Sequence, residues 1–121
     1  HSEFILSADG EGHYHIKGQI EDYPVTFLVD TGATLVAIPQ NIADKLHISG
    51  RYPITMMTAN GQVTGSLTRL KKLSFGEFIL SDVKAVIIPQ EDDIVLLGMN
   101  VLSKFNLSQQ NHQLVLRRIH E

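Results

Sequence analysis

The sequence predicts an all-β fold, arranged as a barrel or a sandwich. Its apolar residues fall into short runs, about four to eight residues long, that are rich in Val, Ile, Leu and Thr. Turn-forming pairs such as Asn60-Gly61 and Gly76-Glu77 separate these runs. No long helical pattern alternates with the runs, which argues against a doubly wound α/β fold.

The predicted strands follow one another closely along the chain. Residues 25–29 are apolar on both faces, as expected of an interior strand. Asn60-Gly61 and Gly76-Glu77 predict hairpins between the runs that flank them, and Pro39 and Pro89 end two other runs. The predicted strands cover residues 13–20, 25–29, 35–38, 54–58, 63–70, 73–75, 78–80, 83–88, 94–97 and 114–119.

The remaining segments predict one turn and two short helices. Asp22-Tyr23-Pro24 is typical of a turn. Residues 41–46 predict a helix with Asn41 as its N-cap, because apolar residues four apart share one of its faces. A second helix, one or two turns long, is predicted over residues 100–105.

Composition limits the classes of function. The 121 residues predict a single domain over residues 1–121, with 43% apolar and 19% charged residues. A net charge of −3 gives no basis for binding nucleic acid. Because there is no cysteine, disulfides and thiolate metal sites are excluded. No apolar run reaches the roughly 18 residues of a membrane span, so we expect membrane attachment only through an N-terminal anchor upstream of His1.

Asp30-Thr31-Gly32 carries the strongest functional signal. It follows the apolar run 25–29, which places a carboxylate at the end of a buried strand. Hydrolysis of a peptide bond without a metal needs an activated water and a proton donor, and two carboxylates that share one proton supply both. The chain has one such tripeptide, so the second carboxylate must come from another copy of the chain.

The order of the motifs resembles the retropepsin-like aspartic proteases, particularly their bacterial members, over about residues 12–118. Residues 27–34 match the catalytic loop of that family. Thr58-Ala59-Asn60-Gly61 matches its flap, a mobile substrate-binding lid, and Leu96-Leu97-Gly98 matches the apolar segment that packs behind the active site. Residues 1–11 match weakly. The resemblance implies an acid protease barrel with a flap hairpin and one or two short helices.

The resemblance also implies a role for each residue of the catalytic loop. Asp30 would be the catalytic residue, and the Gly32 amide would donate a hydrogen bond to its carboxylate. The Thr31 hydroxyl would bond across a homodimer and fix the two loops against each other. Ala33 is small and would lie where the substrate backbone passes.

The implied activity is endopeptidase cleavage of a peptide or protein substrate by a homodimer, with no metal and no other cofactor. Residues 4–6 and 114–116 would contribute strands to the dimer sheet. Val36, Ile38 and Ile88 would line hydrophobic pockets for substrate side chains. The absence of cysteine and the likeness to anchored bacterial relatives favour the periplasm, or a membrane-anchored form facing it, over the cytoplasm.

Other interpretations stay open at the level of sequence. A dimeric peptide-binding module without catalysis fits the same fold. His13 and His15, two residues apart on one strand face, could hold a metal for a metal-dependent hydrolase, although solvated histidines are the simpler interpretation. Glu91-Asp92-Asp93 is interpreted as a solvated acidic turn, since it lacks the spaced ligands of a calcium loop.

Overall fold

The computed structural model describes residues 3–119, and β-strands dominate them. Short turns join most of the strands, as the turn-forming residues between the apolar runs predict. The elements in chain order are β1 Glu3–Ser7, β2 His15–Ile20, β3 Tyr23–Val29, β4 Val36–Pro39, α1 Gln40–Lys45, β5 Tyr52–Thr58, β6 Gly61–Phe75, β7 Phe78–Ile88, β8 Ile94–Leu97, α2 Met99–Leu102, β9 Phe105–Gln110 and β10 Gln113–Arg118.

Six of these strands close into a barrel in the order β2-β3-β8-β4-β7-β6, and pairing of β2 with β6 completes the ring. The β3–β8 and β4–β7 pairs are parallel, whereas the other ladders are antiparallel. Among the described residues β5 pairs with β6 alone, so the β5–β6 hairpin extends from the barrel. The predicted all-β, retropepsin-like barrel with short helices is therefore confirmed.

A second, three-stranded antiparallel sheet has the order β1-β10-β9. β1 and β10 pair with each other within one chain, with Phe4 opposite Leu116 and Leu6 opposite Leu114. β10 lies in the middle, and β1 and β9 are the edges of this sheet among the described residues.

Aromatic side chains join the small sheet to the barrel. Phe75, at the end of β6, lies 5.5 Å from Phe4 of β1 and 5.6 Å from Phe105 of β9, measured between ring centroids. It also contacts Phe27 inside the barrel at 6.5 Å and Phe78 across the hairpin at 5.6 Å. Each such ring pair adds about 0.5–1.5 kcal/mol beyond simple area burial, so the two sheets share one core.

A smaller apolar cluster lies apart from this core. Its buried members are Ala37, Val86 and Ile88. Ile54 and Met56 of β5 pack against it while staying partly exposed. The cluster therefore links the base of the β5–β6 hairpin to the barrel.

Two local predictions about turns and strands need correction. The turn predicted at residues 22–24 is one residue out of place, because Glu21 and Asp22 form the connection and Tyr23 already belongs to β3. Both turn residues have positive φ, 51° and 70°, as a two-residue hairpin loop requires. The runs at 63–70 and 73–75 are one strand, as are those at 78–80 and 83–88, since one antiparallel register joins β6 to β7 throughout.

Both predicted helices exist, with different ends. Pro39 rather than Asn41 is the N-cap of α1, and no side chain caps that helix. The prediction that helix continues to Phe105 is wrong, because α2 ends at Leu102 and Phe105 begins β9, a strand that the sequence analysis missed. Within residues 3–119, neither helix is long and apolar enough to cross a membrane.

Candidate active site

Asp30 lies at the carboxyl ends of two parallel strands. β3 ends at Val29, which pairs with Leu97 at the end of β8. The Asp30 amide donates to the Leu97 carbonyl oxygen at 3.1 Å, and the Val29 amide donates to the Tyr14 carbonyl oxygen at 2.9 Å. Neighbouring backbone on both sides therefore fixes the point at which Asp30 leaves the barrel.

A tight turn follows and holds the carboxylate. The Gly32 amide donates to Asp30 Oδ1 at 2.9 Å, and the Ala33 amide donates to the Asp30 carbonyl oxygen at 3.1 Å. A Cβ on residue 32 would lie 3.2 Å from Oδ1, a tight contact that glycine avoids. Asp30 is partly buried, whereas Thr31 and Gly32 are exposed. The loop thus leaves the Asp30 carboxylate partly accessible and the Thr31 side chain exposed at the surface of the chain.

Gly98 supports the loop from below. A Cβ on Gly98 would lie 2.4 Å from the Leu35 carbonyl oxygen and 2.9 Å from that of Ala33, so only glycine fits. The following amide, that of Met99, donates to the Ala33 carbonyl oxygen at 2.8 Å. Gly98 therefore packs closely against the loop, and a backbone hydrogen bond joins the following residue to it.

Asn100 completes this support, and sequence reasoning gave it no role. Its amide donates to the Thr34 carbonyl oxygen at 3.0 Å. Its side-chain oxygen accepts from the Val36 amide at 3.1 Å, and its side-chain nitrogen donates to the Lys84 carbonyl oxygen at 2.8 Å. The only sequence signal is its position directly after Gly98-Met99, because its partners are distant in the chain.

The residues predicted as the flap, 58–61, lie at the tip of the β5–β6 hairpin. Ala59 and Asn60 form the turn, and Gly61 begins β6 with φ of 99°. Thr58 closes the turn, because its hydroxyl donates to the Gly61 carbonyl oxygen at 2.9 Å and accepts from the Asn60 amide at 3.2 Å. No hydrogen bond among the described residues joins this tip to the Asp30 loop.

A small cavity lies along β3 and β8, whose residues Leu28 and Leu96 line it. It has a volume of about 150 Å³, close to that of one side chain, and its lining consists of Leu28, Ala37, Pro39, Ile88, Gln90, Asp92, Ile94 and Leu96. Of the three residues expected to line substrate pockets, Ile88 lines this cavity. Val36 and Ile38 do not, because both are 0% exposed inside the barrel and Ala37 between them lines the cavity instead.

The acidic turn at the rim of this cavity is held in place. Asn41 Nδ2 donates to the Asp92 carbonyl oxygen at 2.9 Å, and Asn41 Oδ1 accepts from the Asp92 amide at 3.1 Å. This pair explains why Asn41 does not cap α1. A non-local partner satisfies its side chain instead.

The histidines predicted as possible ligands lie elsewhere. His13 and His15 lie at the C-terminal end of a loop that Asp9 holds in shape. Asp9 Oδ1 accepts from the Glu11 and His13 amides at 2.8 and 2.9 Å. These backbone hydrogen bonds, that of His13 first, lower the pKa of Asp9 below its ordinary value. Within residues 3–119, no three His, Asp or Glu side chains group as a metal site would require.

A family model described as gag-polyprotein putative aspartyl protease matches residues 16–104. The chain belongs to this retropepsin-like family. An uncharacterised protein of Rickettsia prowazekii is 33% identical over 107 residues, which cover 85% of this chain and 46% of that protein. An uncharacterised protein of Sinorhizobium is 28% identical and covers 88% of this chain and 48% of its own length. The retropepsin-like chain thus spans about half the length of these curated relatives.

Two solved structures share the fold. A retropepsin-like aspartic protease from Rickettsia conorii superimposes with a TM-score of 0.83 at 28% identity, covering 95% of this chain and 89% of that one. The protease of EIAV, solved with the inhibitor HBY-793, superimposes with a TM-score of 0.67, covering 81% of this chain and 92% of that one. Its identity of 19% supports likeness in fold alone.

Proposed function

We propose that this chain is an aspartic endopeptidase, in which two Asp30 carboxylates, one from each subunit of a homodimer, activate a water. The observation that carries the proposal is the position of Asp30-Thr31-Gly32 at the end of β3, supported by Gly98, in a retropepsin-like chain. Within one protomer, the Gly32 amide is the only hydrogen-bond partner of the Asp30 carboxylate among residues 3–119. The second carboxylate would come from the partner subunit.

The chemistry needs the two carboxylates to share one proton. The ionised Asp30 takes a proton from water as the water oxygen attacks the peptide carbonyl carbon. The protonated Asp30 gives its proton to the carbonyl oxygen. The C–N bond of the resulting tetrahedral species then breaks as the Asp30 that took the water proton gives it to the leaving nitrogen. The other Asp30 takes a proton from a hydroxyl group of the tetrahedral species, which restores the shared proton, and neither a metal nor a cofactor takes part.

The strand that we propose for the dimer contact is β9, not the pair of segments that the sequence analysis favoured. Residues 114–116 of β10 are paired on both sides within one chain, and β1, although it is an edge, carries the charged Glu3. β9 is an open edge, and its residues 106–110 are exposed and carry no charge. Unprotected edges of this kind pair readily with another chain, and two copies of β9 can pair antiparallel about a two-fold axis.

The substrate that we propose is an extended peptide held between the flap and the catalytic loop. Main-chain hydrogen bonds to the flap would provide affinity, and side-chain pockets would provide specificity. The cavity along β3 and β8 has apolar walls from Leu28, Ile94 and Leu96. Its volume of about 150 Å³ suits a single apolar side chain of the substrate.

The direct test of function is the Asp30→Asn variant, assayed against a peptide library at acidic to neutral pH. We expect cleavage by the wild-type protein and loss of nearly all turnover in the variant, because Asn cannot exchange the proton. Asp44→Asn is the matched control, since Asp44 is an exposed carboxylate on α1. Equal cleavage by wild-type protein and Asp30→Asn would refute the proposal.

The second candidate is a dimeric peptide-binding module without catalysis on the same fold. The observation that keeps it is that one chain supplies a single Asp30 carboxylate, which among residues 3–119 accepts only from the Gly32 amide. Peptide binding without turnover, equal in wild-type protein and in Asp30→Asn, would favour this module over the protease.

A further inference from the structure

A second concave site lies where two strands leave a gap along one edge of β6. The β5 ladder ends where Tyr52 pairs with Leu67, and the β2 ladder begins where Ile20 pairs with Leu73. Between them the connection from α1 to β5 covers the edge. A cavity of about 430 Å³ opens there, which we call the gap cavity, and its polar lining side chains are those of Glu21, His47, Ser49, Arg51, Thr68, Arg69 and Lys71.

Hydrogen bonds within the chain fix the shape of the gap cavity. The buried Thr68 hydroxyl donates to the Ser49 carbonyl oxygen at 3.0 Å, and the Arg51 amide donates to the Leu67 carbonyl oxygen at 2.7 Å. The Ile48 amide donates back to the Ala43 carbonyl oxygen of α1 at 2.8 Å. Contacts within the chain therefore fix the walls of the gap cavity without a ligand.

The gap cavity is lined by more cationic than anionic side chains. Both oxygens of Glu21 accept backbone amides, from Lys72 at 2.7 Å and from Lys71 at 3.2 Å. Arg69 pairs with Asp82 at 3.2 Å. Arg51 and the ammonium group of Lys71 have no carboxylate within ion-pair distance among residues 3–119. Arg51 and Lys71 thus line one concavity without an ion-pair partner among the described residues, in a chain whose net charge is −3.

We propose that the gap cavity binds a small phosphate-bearing ligand. A phosphate or phosphomonoester is close to a dianion at neutral pH, which matches the charges of Arg51 and Lys71. A guanidinium group pairs with two phosphate oxygens at once, and a Lys ammonium adds a point charge. Glu21, the one acidic side chain of the lining, already accepts two backbone amides with its carboxylate oxygens. The cavity volume also falls within the range of small-molecule sites, about 300–1,000 Å³.

This site is separate from the proposed protease site. The gap cavity shares no lining residue with the cavity that Leu28 and Leu96 line. The proposal therefore stands or falls independently of peptide cleavage.

The test is an amide NMR titration of the full chain with inorganic phosphate at pH 7.5, with acetate at matched ionic strength as comparison. We expect saturable shifts confined to residues 47–51 and 68–71 with phosphate and none with acetate. In Arg51→Gln/Lys71→Gln the affinity should fall at least about tenfold, as for loss of charge-assisted hydrogen bonds. Lys17→Gln/Lys84→Gln removes the same charge from exposed positions elsewhere and should retain binding.

Three results would overturn the phosphate site. The first is shifts that do not saturate, or that acetate reproduces, since these indicate ionic screening only. The second is equal weakening of binding in the two double variants. The third is saturable binding of a hexaglutamate peptide at residues 47–51 without binding of phosphate, which would assign the surface to an acidic polypeptide.

Discussion

The side-chain oxygen of Asn100 accepts a hydrogen bond from the Val36 amide at 3.1 Å, although 64 residues separate them in the chain. The same side chain donates to the Lys84 carbonyl oxygen at 2.8 Å. One residue of α2 thereby fixes the start of β4 and the middle of β7. Since β4 directly follows the Asp30 loop, Asn100 holds the carboxyl end of that loop in place.

Asn100→Ala should lower the free energy of unfolding by about 1–3 kcal/mol, because it leaves the Val36 amide and the Lys84 carbonyl oxygen without their partner. Denaturant unfolding measures this change. Gln19→Ala is the control, since Gln19 is an exposed amide residue of β2 and should cost far less. Similar losses in both variants would show that the Asn100 hydrogen bonds contribute little.

Gly98→Ala should destabilise the fold by about 1–3 kcal/mol or more, because the added Cβ meets backbone atoms of Leu35 at 2.4 and 2.6 Å that cannot move aside. Gly10→Ala is the matched control, since a Cβ there meets nothing within 4 Å. Thermal unfolding of the two variants distinguishes them. A stable Gly98→Ala variant would mean that the loop and β8 can separate without penalty.

The sequence predicted the elements whose signals are local. The boundaries of β8 and the hairpin around Asn60-Gly61 follow from apolar runs and turn chemistry within a few residues. β9 was missed because Val101, Leu102 and Phe105 have helical spacing, whereas pairing with β10 decides the outcome. Asn41 and Asn100 were misjudged or overlooked for the same reason, since their partners lie far away in the chain.

Edge strand β9 provides a prediction about assembly. Ser108→Lys should weaken homodimerisation, because a charge on an open edge opposes pairing with a second copy. Ser7→Lys places the same charge on β1, the other edge of the sheet, and should leave dimerisation unchanged. Sedimentation equilibrium measures both. If only Ser7→Lys weakens the dimer, β1 rather than β9 forms the contact.

Asp9 provides a prediction about pH. Its pKa in the folded chain lies below the ordinary value of 3.8, because the His13 and Glu11 amides donate to the ionised carboxylate. Its contribution to stability is therefore fully present above the ordinary pKa and is lost as the pH falls through the lowered pKa. The stabilities of wild-type protein and Asp9→Ala should converge in strong acid. A difference that grows as the pH falls would contradict this sign.

The central claim is that each active site takes one Asp30 from each of two chains. Mixing wild-type protein with Asp30→Asn, under conditions where subunits exchange and all chains are dimeric, tests it most directly. The fraction of wild-type chains that pair with another wild-type chain then equals the fraction of wild-type chains in the mixture. An equal mixture should therefore cut activity per wild-type chain to about half. A ninefold excess of the variant should cut it to about one tenth. Activity per wild-type chain that stays constant at every ratio would show that one Asp30 suffices, and would contradict the account.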